Sequence, residues 1–177
     1  MKYVIIFLFA LASLGGGICY FLLKSPFENY PKLAHAITAK TAEKLENEKG
    51  LILVGTGGQM MDDIQMMMMG FEYRKVINVE TARELLVYCV EEYLSAINAS
   101  EEVRPYLHNY PFTFKNVEIV IYIRNPDGST VALDKLRIAA ADEGELFYYV
   151  DDPEKYTLRV IHEETYEEAL QATRELH

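Results

Sequence analysis

The chain has 177 residues, half of them apolar and a quarter charged, a globular composition that excludes a disordered, collagen-like or multispanning protein. Its 17 Lys and Arg stand against 27 Asp and Glu, a formal charge of −10. That sign excludes nucleic acid as a partner, because phosphates are held by basic surfaces.

The length suits one compact domain with an appendage. Much of the acid comes late, with eleven acidic and three basic side chains in residues 142–177. Runs such as Glu163-Glu164 and Glu167-Glu168 read as a solvated helix face, and more sharply as a docking surface for a basic partner. Such a surface avoids anionic headgroups, so any membrane association must come from the other end of the chain.

Residues 1–24 are of a different kind. Lys2 precedes an uncharged run from Tyr3 to Leu23, closed by Lys24 and Ser25-Pro26. As a helix at ~1.5 Å per residue this run spans about 30 Å, the thickness of a bilayer's hydrocarbon core. A cleaved signal is a second reading, with Ser13, Gly15 and Gly17 as small residues near a cleavage site. Lipid attachment at Cys19 is a third, although Ile18 stands where lipoprotein signals carry a small residue. Cleavage would leave a greasy Ile18-Cys19-Tyr20-Phe21-Leu22-Leu23 at the new terminus, which favours a retained transmembrane anchor. The flanking lysines do not decide its orientation. A two-residue leader on a signal-like helix usually stays inside, so the expectation is a single-pass membrane protein whose domain is extracytoplasmic, periplasmic or at the cell surface.

Residues 25–50 form a tether and a helix. Pro31 opens an Ala-, Lys- and Glu-rich stretch that Gly50 stops, with Leu33, Ala36, Ile37 and Leu45 as a thin apolar stripe. Such a helix suits a stalk. Residues 51–177 read as one α+β domain. Leu51 to Val54 is a short strand ended by Gly55-Thr56-Gly57-Gly58, read as a flexible turn, and the alternation at 71–75 favours a strand over 66–76. Asn78 to Asn98 is the best helix, with Ala82, Leu85, Leu86, Cys89, Val90, Tyr93, Leu94 and Ile97 on one face.

A short helix around Glu101 to Tyr106 precedes four strands. These are 117–123, 130–140, 146–150 and 156–162, separated by Asn125-Pro126-Asp127-Gly128, Asp142-Glu143-Gly144 and Asp151-Asp152-Pro153. The connections are too short for crossovers, so the strands form a meander. Tyr166, Ala169, Leu170, Thr173 and Leu176 mark a terminal helix. The expected fold is therefore α+β. An N-terminal transmembrane helix precedes helices packed on one face of a mostly antiparallel sheet, with a four-stranded C-terminal meander.

Few segments point to chemistry. Gly55 to Gly58 follows a strand as phosphate loops do, but it lacks both the dinucleotide and the P-loop spacing, and Asp62-Asp63 repels phosphate. Met66 to Met69 offers soft thioethers to Cu(I), yet alternate side chains of a strand face opposite ways, so the run reads as core filler. Cys89 has no partner in the domain and reads as a small buried hydrophobe. Asp62, Asp63 and His108 are the candidate residues for a metal or hydrolytic site, with Asp151, Asp152 and His162 behind them. His162 is read as lying next to a helix start, and no motif calls for a cofactor.

The stretch 104–114 is the most distinctive. Tyr106, Tyr110, Phe112 and Phe114, with His108 among them, are broken by Pro105 and Pro111. These aromatics either close the core or form a contact surface for a protein partner. The expected role is a membrane-anchored, non-catalytic interaction or assembly domain. The alternative is a small metal-dependent hydrolase or metal-binding domain using Asp62, Asp63 and His108. An Asp62 or Asp63 side chain within about 5 Å of a histidine in one pocket favours the alternative.

Overall fold

The computed structural model describes residues 30–175. The expected membrane helix and the tether after it lie outside these residues. Among the described residues no helix is long and apolar enough to cross a membrane.

Helix α1 (Tyr30–Lys49) carries Pro31 in its first turn and ends at Gly50, whose φ of +73° is the left-handed conformation that a helix C-terminus takes most cheaply with glycine. Its buried face is Tyr30, Ala34, Thr38, Thr41, Ala42 and Leu45, rotated from the expected stripe: Ala36 is exposed, and Leu33 and Ile37 are only half-buried. Small residues there let the helix sit close to α2 (Val79–Ala99). The two buried hydroxyls are satisfied: Thr38 lies 2.6 Å from the Tyr93 hydroxyl, and Thr41 donates to the Ile37 carbonyl at 2.9 Å. With Leu45 fully buried, α1 is part of the core.

The sheet is six-stranded in sequence order: β1 (Ile52–Gln59), β2 (Met66–Tyr73), β3 (Val117–Ile123), β4 (Ile138–Asp142), β5 (Glu145–Asp152) and β6 (Thr157–Thr165). Only β2 and β3 run parallel, as a connection through α2 permits; every other pair is antiparallel. The α+β class, the mostly antiparallel sheet and the four-stranded C-terminal meander are thus as expected. α3 (Tyr166–Glu175) follows β6.

Three sequence expectations need correction. The Gly55–Gly58 tract is strand, because β1 continues to Gln59 and pairs with the methionines: Thr56 with Met69, Gly57 with Met68, Gly58 with Met67. A Cβ on Gly57 would meet the Met68 sulfur at 3.8 Å, so a long thioether covers the gap that the glycine leaves. The strand expected over 130–140 forms only from Ile138. Before it, Val131 and Leu136 drop into the core from irregular backbone. His162 stands within β6, not at a helix start.

α2 matches its sequence closely. Asn78 caps it, its side chain accepting from Thr81 N at 3.0 Å, and the expected apolar face is the buried one. The three described α-helices lie over one face of the sheet, the face of Met67, Met69, Phe71, Ile119, Ile121, Leu146 and Tyr148, each fully buried. No described helix covers the other face. Its centre is Met68, Val120, Tyr122, Ile138, Phe147 and Tyr149, all half-buried.

Candidate functional site

Two connections meet at one end of the sheet. An isolated parallel bridge joins Ile64 to Leu107, with Ile64 N donating to the Tyr106 carbonyl at 2.8 Å and His108 N to the Ile64 carbonyl at 2.9 Å. The bridge sets Asp63 beside His108, and Asp63 Oδ2 lies 2.7 Å from His108 Nδ1. Asn116 secures the pair of loops by donating to the Gln65 carbonyl at 3.1 Å and exchanging hydrogen bonds with Asn109. The hydrogen bond from His108 holds the Asp63 carboxyl below its ordinary 3.8, and the second oxygen, Oδ1, is buried with no hydrogen-bond partner.

A depressed folded pKa fixes the sign of the pH dependence. Asp63 contributes stability above the unfolded carboxylate range and loses it as pH falls through its folded value. A carboxyl-detected NMR titration should therefore place the Asp63 midpoint below 3.8, and H108Q should return it toward 3.8.

Asp62 does not join this pair. It faces a groove of about 790 Å³ between α1 and the glycine-rich end of β1, whose lining includes His35, Thr38, Gly58, Met60 and Gln65 but neither Asp63 nor His108. The proximity half of the test posed by the sequence is thus met, while the shared pocket is not. Both Asp63 and His108 are well exposed, with a third and more than half of their side-chain surface open. Among the described residues no three His, Cys, Asp or Glu side chains converge on a metal position.

The remaining candidates are scattered. Asp152 caps its own turn, accepting from Glu154 N at 3.1 Å. His162 is at the opposite edge of the sheet from Asp63, 3.7 Å from Glu164. Burial pushes the Cys89 thiol far up and keeps it protonated, which suits a packed hydrophobe. Met67 and Met69 are in the core while Met66 and Met68 face the uncovered side, so the run divides between two environments.

The aromatic stretch mostly closes the fold. Phe112 is buried, Tyr106 stacks on Tyr30 with ring centres 5.7 Å apart, and Phe114 stacks on Tyr166 at 4.7 Å. Tyr110 is half-exposed beneath the Arg104 guanidinium, 4.6 Å from its ring centre. Of the five proposed contact residues, Tyr110 and His108 are the ones that offer substantial surface to a partner.

One surface feature is not singled out by the sequence reading: the apolar character of the uncovered sheet face. A sheet with one solvated face alternates apolar and polar residues. Here the outward positions Val120, Tyr122, Ile138, Ala140, Phe147, Tyr149 and Val160 are apolar on neighbouring strands. The signal was available: VEIVIYI and LFYYV are apolar at both parities over most of their length. Tyr122 leans across Gly70 of the next strand, and the Phe147 and Tyr149 rings lie 6.3 Å apart.

The chain matches no family model, no curated protein and no solved structure.

Proposed function

We propose that this protein is a membrane-tethered, non-catalytic interaction or assembly domain. Residues 3–23 hold it in the bilayer, and the α+β body faces the extracytoplasmic side. The observation that carries the reading is the apolar, helix-free face of the sheet. Three aromatic rings and several aliphatic side chains in the middle of a −10 protein are a docking surface, since solvated sheet faces are polar. The acidic C-terminal region adds solubility and repels anionic lipid, which keeps the body clear of the headgroups.

Copurification of the tagged full chain from detergent-solubilised membranes tests this. Wild type should retain a stoichiometric protein partner, of this chain or another, and Val120→Asp should lose it while still unfolding in one cooperative transition. Retention by both variants alike removes the face from the interaction.

A second reading rests on the 2.7 Å contact between Asp63 and His108. A carboxylate on Nδ1 leaves Nε2 of the imidazole for proton transfer or a metal ion, and the unpartnered Asp63 oxygen adds an acceptor. Calorimetric titration with Zn²⁺ tests it. Micromolar binding that disappears in D63N and H108Q supports a metal site, and absence of binding leaves the pair as a fastener between two loops.

A further inference from the structure

The uncovered sheet face is polarised along its strands. At one end stand Glu118, Asp142 and Glu145, which follow the outward parity and register of β3 to β5, with Glu163 one row further in: Asp142 pairs with Glu145, and Glu163 pairs with Phe147. Asp142 is close enough to Glu118 to help raise its pKa, after desolvation. At the other end stand Arg74 and Arg124, partly offset by Glu72, and Asp151, which Arg137 approaches from the opposite parity, beside Ile123. Arg74 meets Glu72 at 2.7 Å, but Arg124 Nε is 3.8 Å from that carboxylate and makes no hydrogen bond, and Arg137 is 3.7 Å from Asp151. Between the ends lies the apolar centre. The face is therefore strongly acidic at one end and weakly basic at the other.

We propose that the occupant of this face is a second copy of the chain, docked sheet to sheet about a two-fold axis with the strands of the two copies running in opposite senses. The proposal rests on the interaction reading above and names its partner. A two-fold axis lying in the interface, perpendicular to the strands, lays the acidic end of each copy over the arginine end of the other, and the apolar centre over itself. The same-sense arrangement sets the carboxylates of one acidic end against those of the other and is repelled.

Size agrees with this. Six strands at ~4.8 Å spacing and about 7 residues at ~3.3 Å each make a projected face of roughly 650 Å². Corrugated by side chains, that approaches the ~800 Å² per partner of a standard interface. Face-to-face packing also solves the layer problem of the fold. A sheet apolar on both sides needs a layer on each, and the helices supply only one. The dimer has four layers: helices, sheet, sheet, helices.

The mass of full-length protein in detergent, measured by sedimentation equilibrium under density-matched conditions, tests the proposal. Wild type should be dimeric at micromolar concentration, and Val120→Asp should weaken the dimer more than tenfold. Charge reversal separates this arrangement from others. Glu118→Lys with Asp142→Lys weakens the dimer at least fivefold, as does Arg74→Glu with Arg124→Glu. All four changes in one chain restore affinity to within about threefold, because both ends have exchanged sign.

A dimer strengthened by the acidic-end reversal alone overturns the opposed orientation. A dimer indifferent to Val120→Asp and to every charge change arises elsewhere, in the membrane segment for instance, and overturns the proposal. A monomer that still loses a different copurified protein on Val120→Asp overturns the second copy while the interaction reading stands. A monomer with no partner in either form removes both.

Discussion

Replacing Phe71 with alanine should lower the free energy of unfolding by about 3–5 kcal/mol, read from the urea midpoint at constant slope. Phe71 is fully buried, sits in β2 opposite Ile121 of the parallel pair, and lies on the face that the helices cover. Its removal leaves a cavity where the single parallel crossover packs, and a close-packed interior relaxes only partly around such a hole. One strand over and on the opposite face, Tyr122→Ala should cost only about 1 kcal/mol, since the ring is already part-exposed and truncating it opens no enclosed cavity. On the proposed function, inward substitutions are read in stability and outward ones in association. Equal losses at the two positions would mean that the outer face is covered within the single chain.

The second large effect concerns a half-hidden ion pair. Arg83 of α2 donates through Nε to both Glu164 carboxylate oxygens, at 2.8 and 2.9 Å, and the Tyr148 hydroxyl donates to the same carboxylate at 2.6 Å. Side-chain exposures of 14% and 9% make the pair largely desolvated. Removing one partner strands the other charge. Arg83→Met or Glu164→Leu alone should cost about 2–3 kcal/mol, somewhat under the value for a fully buried pair. Both together should cost clearly less than the sum, with a coupling of at least about 1 kcal/mol in a double-mutant cycle. Additive losses would show that the two side chains act independently.

The same cluster sets an alkaline limit. Burial, and then the Glu164 carboxylate, push the Tyr148 phenol above its ordinary 10.0. Its contribution is complete below pH 10 and is lost as pH rises beyond it, so Y148F should flatten that limb.

Much of the fold was legible where a single element decides its own structure. α2 declares itself by a wide apolar face and an Asn cap, and the meander by turn residues between short apolar runs. Legibility failed where a neighbour decides. Gly55 to Gly58 has no strand propensity of its own, and methionines across the ladder make it β1. The buried face of α1 is built from alanine and threonine, so an apolar stripe of Leu and Ile pointed to the wrong angle. Residues 130–137 have strand-like composition, but the core takes up Val131 and Leu136 without a ladder.

The candidate site divides in the same way. Asp63 and His108 were nameable as residue types, yet 45 positions separate them, and only the Ile64–Leu107 bridge brings them together. The aromatic stretch showed its rings without showing which of them turn inward. The uncovered face was written in the strands as apolar residues at both parities. A run of that kind reads equally as a strand covered on both sides, and only the position of the three described helices on one face shows which side they leave uncovered.

The reading of the protein as a tethered domain rests on residues 3–23. The most direct measurement is alkaline carbonate extraction of membranes carrying the full-length chain, followed by ultracentrifugation and N-terminal sequencing. The expected result is a pelleted protein that begins at Met1. A protein that begins at Met1 and stays in the supernatant would contradict a bilayer-spanning anchor, and with it the placement of the domain at a membrane surface.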